Sequence, residues 1–229
     1  MSMQQKMKTR GILMLVGFFA VLVVIFLPVF PGKVNGLDYT DNIFNMISKG
    51  SSYFIPATLQ ESELFKGKAI NVTVKLADAA QAEQVADQLA NAGATVSVNG
   101  NELAINGDMA AITAASLADA DLIFNNNGGP LVEKYGYSER QVMYNWWDLF
   151  KKITPELNKQ KMFAAAKFFN NVEKKALEPA YNYYGVEAIR WQEHIGLILL
   201  ALTFYVVYTL WYGFGIMYLF EGLGLKISH

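Results

Sequence analysis

The 229 residues are 53% hydrophobic, 14% aromatic and 17% charged, with a formal net charge of −1. That balance is too apolar for an ordinary soluble domain and excludes a disordered or collagen-like chain. The absence of cysteine excludes disulfides, thiolate metal sites, C-x-x-C-H haem attachment, a lipoprotein anchor and a cysteine nucleophile.

Residues 1–10 carry Lys6, Lys8 and Arg10. Residues 11–30, GILMLVGFFAVLVVIFLPVF, then hold no charged or hydrogen-bonding side chain over a length that matches a hydrocarbon core of about 30 Å. This run predicts a first transmembrane helix. The first acidic residue is Asp38, so the basic flank is expected on the cytoplasmic side. A cleaved signal peptide would have a shorter apolar region and a small-residue cleavage site, whereas Pro31-Gly32-Lys33-Val34-Asn35 follows here.

Residues 31–67 read as a juxtamembrane linker with one short helix, capped by Asp41, whose Ile43, Phe44, Met46 and Ile47 form an apolar face. That face suits either the membrane surface or the packed interior of an outer domain.

Residues 68–125 have a legible period. Ile70, Val72, Val74 and Leu76 alternate as a strand; Asp78 caps a helix with Ala82, Val85, Ala86 and Leu89 at helical spacing, and Gly93 closes it. A strand with Val96 and Val98 turns at Asn99-Gly100-Asn101 into one with Leu103 and Ile105. Gly107-Asp108 opens a second alanine-rich helix through about Leu117, and Leu122, Ile123 and Phe124 are expected as a last strand. The order is that of a ferredoxin-like split βαβ module. Its expected core is Ile70, Val72, Val74, Val85, Leu89, Val96, Leu103, Ile105, Ile112 and Leu117.

Residues 126–194 read as a loop and a helical stalk. Ser138 and Gln141 have capping-box spacing before a helix with Val142, Trp146, Leu149, Phe150 and Ile153 on one face. Thr154-Pro155 is expected to restart the chain as a second helix reaching about Glu178, with Met162, Ala165, Phe169, Val172 and Ala176 along a stripe that contacts its neighbour. Pro179 should interrupt it.

Residues 195–220, IGLILLALTFYVVYTLWYGFGIMYLF, predict a second transmembrane helix with Trp191, Trp211, Tyr212 and Tyr218 suited to interfacial belts. Two crossings place residues 221–229 in the cytoplasm with the N-terminus and residues 31–194 outside. The expected class is thus a two-pass protein of the inner (plasma) membrane, carrying a periplasmic or extracellular α+β domain and no cytoplasmic output domain.

Charge is uneven. From Leu76 to Glu133 there are eight acidic residues and no Lys or Arg, while from Lys134 to Glu178 nine basic residues face five acidic ones. Such a distribution suits solvated faces attracting one another within the chain, an acidic lobe offered to a cationic partner, or basic stalk residues near the anionic lipid of the bilayer. The acidic lobe and a strand lacking stacking aromatics (Glu102-Leu103-Ala104-Ile105-Asn106) argue against nucleic acid.

Candidate site chemistry is sparse. His194 and His229 are the two histidines, so histidine metal motifs and a Ser-His-Asp triad lack material; His194 reads as an interfacial residue and His229 as a terminal one. The pairs Glu61/Glu63 and Asp119/Asp121 offer fewer oxygens than calcium requires. Asn125-Asn126-Asn127-Gly128-Gly129-Pro130 is an unusual loop, read as a turn, without a phosphate-binding fingerprint. No catalytic residue, metal site or cofactor is therefore expected.

The second apolar run carries Tyr205 and Tyr208 near the bilayer midplane, where hydrocarbon cannot satisfy a phenolic hydroxyl and the first run has no polar side chain to meet one. The face with Phe204, Tyr208, Trp211 and Gly215, edged by Tyr205 and Tyr212, is expected to pack against a helix of another membrane subunit or another copy. From sequence, the chain reads as a non-catalytic accessory or scaffolding subunit of a membrane complex. The alternative is a sensor-like module that binds a ligand or cell-wall glycan.

Overall fold

The computed structural model describes residues 2–225. In chain order its elements are helices α1 (Met3–Phe26), α2 (Gly36–Ser51) and α3 (Ile55–Ser62), strand β1 (Ala69–Lys75), helix α4 (Ala79–Asn91), and strands β2 (Thr95–Asn99) and β3 (Glu102–Asp108). Helices α5 (Met109–Phe124), α6 (Gly129–Tyr135), α7 (Glu139–Lys159), α8 (Phe163–Val172), α9 (Glu178–Asn182) and α10 (Ile195–Gly222) follow. The protein is mostly helical with one small three-stranded antiparallel sheet. Residues up to Ile47 and from Ile189 onward form one compact unit, and Ser48–Ala188 form the other.

In the first unit, α1 and α10 span 24 and 28 residues and are long and apolar enough to cross a membrane. They pack antiparallel, with Lys8 beside Gly222, Gly11 beside Gly215 and Leu219, and Gly17 beside Trp211. A β-carbon on Gly11 would stand 2.5 Å from the Leu219 backbone nitrogen, so this approach of two backbones requires glycine. The basic flank is itself helical, closed by a reciprocal capping box between Ser2 and Gln5. α1 stops at Phe26 rather than at residue 30. Leu27 precedes Pro28, whose ring disfavours helical backbone at the residue before it, and Leu27 turns extended with ψ 146°. α2 starts at Gly36 because Asn35 Oδ1 accepts the Asp38 N–H at 2.8 Å; Asp41 does not cap it and instead accepts from Asn45.

In the second unit the strand order is β1-β3-β2, with Val72 and Val96 both opposite Ile105. Alternation buries one face of β1 and β3, with β1 packed on α7 and β3 on α4 and α5. Asp78 caps α4 through the Gln81 N–H, Asp108 caps α5 through the Ala111 N–H, and Gly100 makes the β2–β3 turn at φ 61°. The expected core is buried, except that Val96 is half-buried against it.

Further expectations are overturned. The fourth strand is absent: Leu122, Ile123 and Phe124 complete α5, so the sheet stops at three strands and lacks the last element of a ferredoxin-like module. Met109, Ile112, Ser116, Ala120 and Ile123 are buried at helical spacing, and a three-residue apolar run simply continues that stripe. Nor does the chain restart at Pro155, which lies inside α7. Ile153 and Leu157 on either side are fully buried, and their burial, about 1.5–3 kcal/mol each, outweighs the roughly 3 kcal/mol cost of an interior proline.

The expected stalk helices share one core with the sheet. Trp146, Leu149, Phe150 and Ile153 of α7 meet Phe169 and Val172 of α8 in the same buried cluster as Ile70 and Leu103. The stripe read from Met162 to Ala176 is therefore neighbour contact. Instead of one helix to Glu178, the segment after α8 is a π-helical turn, Glu173–Leu177, and Pro179 sits at the start of α9 without interrupting the chain's helical course.

Candidate functional site

The residues assigned to a partner lie on α10, and the structure divides them. The Tyr208 hydroxyl donates to the Phe18 carbonyl at 2.8 Å, and the Trp211 indole N–H donates to the Met14 carbonyl at 2.9 Å. The Phe18 ring stacks on Tyr208 at 4.2 Å between centroids, and Tyr212 lies 4.9 Å from it. Gly215 rests against Leu15 and Met14. Tyr208, Trp211 and Gly215 thus face α1 of their own chain.

The acceptors on α1 are backbone carbonyls, not side chains. A helical carbonyl keeps a second lone pair, and Gly17 lets the Trp211 ring reach the α1 backbone. Phe204 stacks on Tyr208 at 5.2 Å. Tyr205 is different: it is 69% exposed, and its hydroxyl has no hydrogen bond among the described residues.

Within Ser48–Ala188 two polar clusters are buried. Asp119 of α5 accepts the Trp146 indole N–H at 2.8 Å, the Tyr135 hydroxyl at 2.7 Å and the Lys134 ammonium at 3.0 Å. Burial, and then the Asp119 charge, push the Tyr135 hydroxyl far above its ordinary range, so it stays a donor. Burial also pushes Tyr137 up to about 12; its hydroxyl donates to Gln88 Oε1 at 3.1 Å. Asp121, two residues from Asp119 and so on another side of the helix, accepts from Tyr53 at 2.6 Å. The carboxylates read as a pair diverge, and the first is consumed in joining α5, α6 and α7.

The second cluster surrounds Lys49. Its ammonium donates to Asn126 Oδ1 at 2.9 Å and to the carbonyls of Val186 and Tyr183 at 2.6 and 3.1 Å, and it lies over the Phe124 ring. Burial lowers its pKa from the ordinary 10.5, against a smaller opposing pull from Glu187. Asn126 is left-handed at φ 58°, and its amide also donates to Val186. The unusual Asn125–Pro130 loop thereby serves as an internal tie. Sequence reading missed Lys49 because a lysine in an amphipathic helix looks like a solvated one.

The remaining candidates stand apart. Glu61 and Glu63 are exposed, the latter 3.6 Å from Lys66. His194 is half-buried in the turn Trp191–His194, and His229 lies outside the described residues. Among the described residues no group of three or more acidic or histidine side chains could hold a metal ion.

With this geometry in place, comparison with known proteins adds no relative: no family model, no curated protein and no solved structure matches the chain.

Proposed function

We propose that the protein is a non-catalytic accessory or scaffolding subunit of an inner (plasma) membrane complex. In this reading α1 and α10 cross the bilayer as an antiparallel hairpin, both ends of the chain are cytoplasmic, and Ser48–Ala188 is outside. The basic residues Lys6, Lys8 and Arg10 before the first apolar run support that orientation.

The observation that carries the reading is the contrast between two tyrosines on α10. Tyr208 has an acceptor within the chain, whereas Tyr205, one turn away and about 15 Å from Ile195 along the helix, presents an unpaired hydroxyl outward. Hydrocarbon offers that hydroxyl nothing, and a helix of another membrane protein supplies the acceptor.

A glycan-binding role has less support. The open face of the sheet carries Asn71, Thr73, Ser97 and Asn106, and no aromatic ring on which a sugar would stack.

A photo-crosslinking residue at Tyr205 in native membranes tests the proposal, with the same probe at Tyr208 as an inward control. Adducts of defined mass with another protein are expected at position 205 and not at 208. Adducts only with a second copy would replace the heteromeric subunit by self-association, and labelling of lipid alone would overturn the proposal.

A further inference from the structure

At the N-terminal end of α1 the helix pair holds an open groove of about 640 Å³ lined by Lys6, Thr9, Arg10, Leu13, Met14 and Trp211. The lining is polar at one end and apolar at the other because these α1 positions recur at helical spacing on one face. Leu13, Met14 and the Trp211 ring form the apolar part. From Lys6 to Met14 the groove runs about 12 Å along the axis.

No ion pair among the described residues closes its cationic end. Among the described residues neither Lys6 nor Arg10 pairs with a carboxylate, and α1 has no acidic residue in its first turn. Arg10 is held in place by its guanidinium lying 4.5 Å over the Tyr218 ring, an interaction that leaves its N–H donors free. Thr9 is engaged in donating to the Gln5 carbonyl at 2.9 Å, so the anion-binding capacity belongs to Lys6 and Arg10.

We infer that this groove binds one anionic glycerophospholipid, its phosphate between Lys6 and Arg10 and the start of an acyl chain along Leu13, Met14 and Trp211. Guanidinium recognises phosphate with paired N–H donors, and basic pockets between membrane helices suit the anionic leaflet on the cytoplasmic side. The inference rests on the membrane-spanning reading of α1 and α10 and is independent of any protein partner.

The test uses the purified full-length chain in neutral detergent, which separates it from the partner proposal. Native mass spectrometry during titration with phosphatidylglycerol or phosphatidylcholine should show a preference of about tenfold for the former. Lys6→Gln with Arg10→Gln should abolish the preference, while Lys8→Gln, which removes a charge outside the groove, should keep it. Leu13→Trp, filling the apolar part, should weaken phosphatidylglycerol retention with both cations present. Equal binding of the two lipids, an equal loss in Lys8→Gln, or full competition by inorganic phosphate alone would overturn the inference.

Discussion

Asp119 and Thr113 are both buried on α5, yet their replacement should move stability in opposite directions. The Thr113 hydroxyl is the one buried side-chain polar atom without a hydrogen-bond partner among the described residues. Thr113→Val removes it at nearly the same shape, so the melting temperature should hold or rise; a loss above about 1 kcal/mol would show that the hydroxyl has a partner. Asp119→Ala strips the acceptor from the Trp146 indole and the Tyr135 hydroxyl, at about 1–3 kcal/mol for each donor left unpaired. Its urea midpoint should fall sharply with an unchanged slope, and an unchanged midpoint would remove Asp119 from its structural role. Glu173 adds a pH dependence. Burial, with the nearby Glu178, raises its carboxyl above the ordinary 4.5, so the folded chain holds that proton more tightly than the unfolded chain. Stability from this group therefore falls as pH rises from 4.5 through the raised value, and the penalty is complete above it. Glu173→Gln should be more stable than the parent at about pH 7.5, with the difference vanishing near about pH 3. A difference independent of pH would contradict the assignment.

At the scale of elements, what joins α1 to α10 is backbone proximity. Gly11, Gly17, Gly215 and Gly222 let the two helices approach until Tyr208 and Trp211 reach carbonyls of α1. Gly11→Val should separate them and uncouple Tyr208 from Phe18. In the parent chain Tyr208→Phe is expected to cost about 0.6–1.7 kcal/mol of thermal stability in detergent, and in the Gly11→Val background nothing. Equal costs in both backgrounds would show that Gly11 does not set the approach. Neither helix has a G-x-x-x-G motif, so this contact was not legible as a motif. The helix ends were more legible. Asp78, Asp108 and Ser138 cap as their residue types require, because a cap is a contact within three residues. Leu122–Phe124 and Pro155 were misread where a local signal met a larger core: each segment stays helical because its neighbours one turn away are buried.

For the whole molecule, the proposed topology is open to a direct experiment because the chain has no native cysteine. A cysteine placed at Ser97, on the exposed sheet face, should react with a membrane-impermeant maleimide on intact cells, and one placed at Ser2 only after permeabilisation. The reverse pattern would invert the orientation. The two apolar helices, the strand–helix–hairpin order and nearly all of the sheet's core were legible in the sequence, since these follow from periodicity and from contacts between near neighbours. Tertiary structure alone decided that Asp119 meets Trp146, that Lys49 is enclosed by Asn126, Tyr183 and Val186, and that Tyr208 bonds Phe18 across 190 residues. These pairs leave no period in the chain. An acceptor can be a backbone carbonyl that every residue type provides, and whether a polar side chain is buried beside it depends on which faces the packed helices bring together.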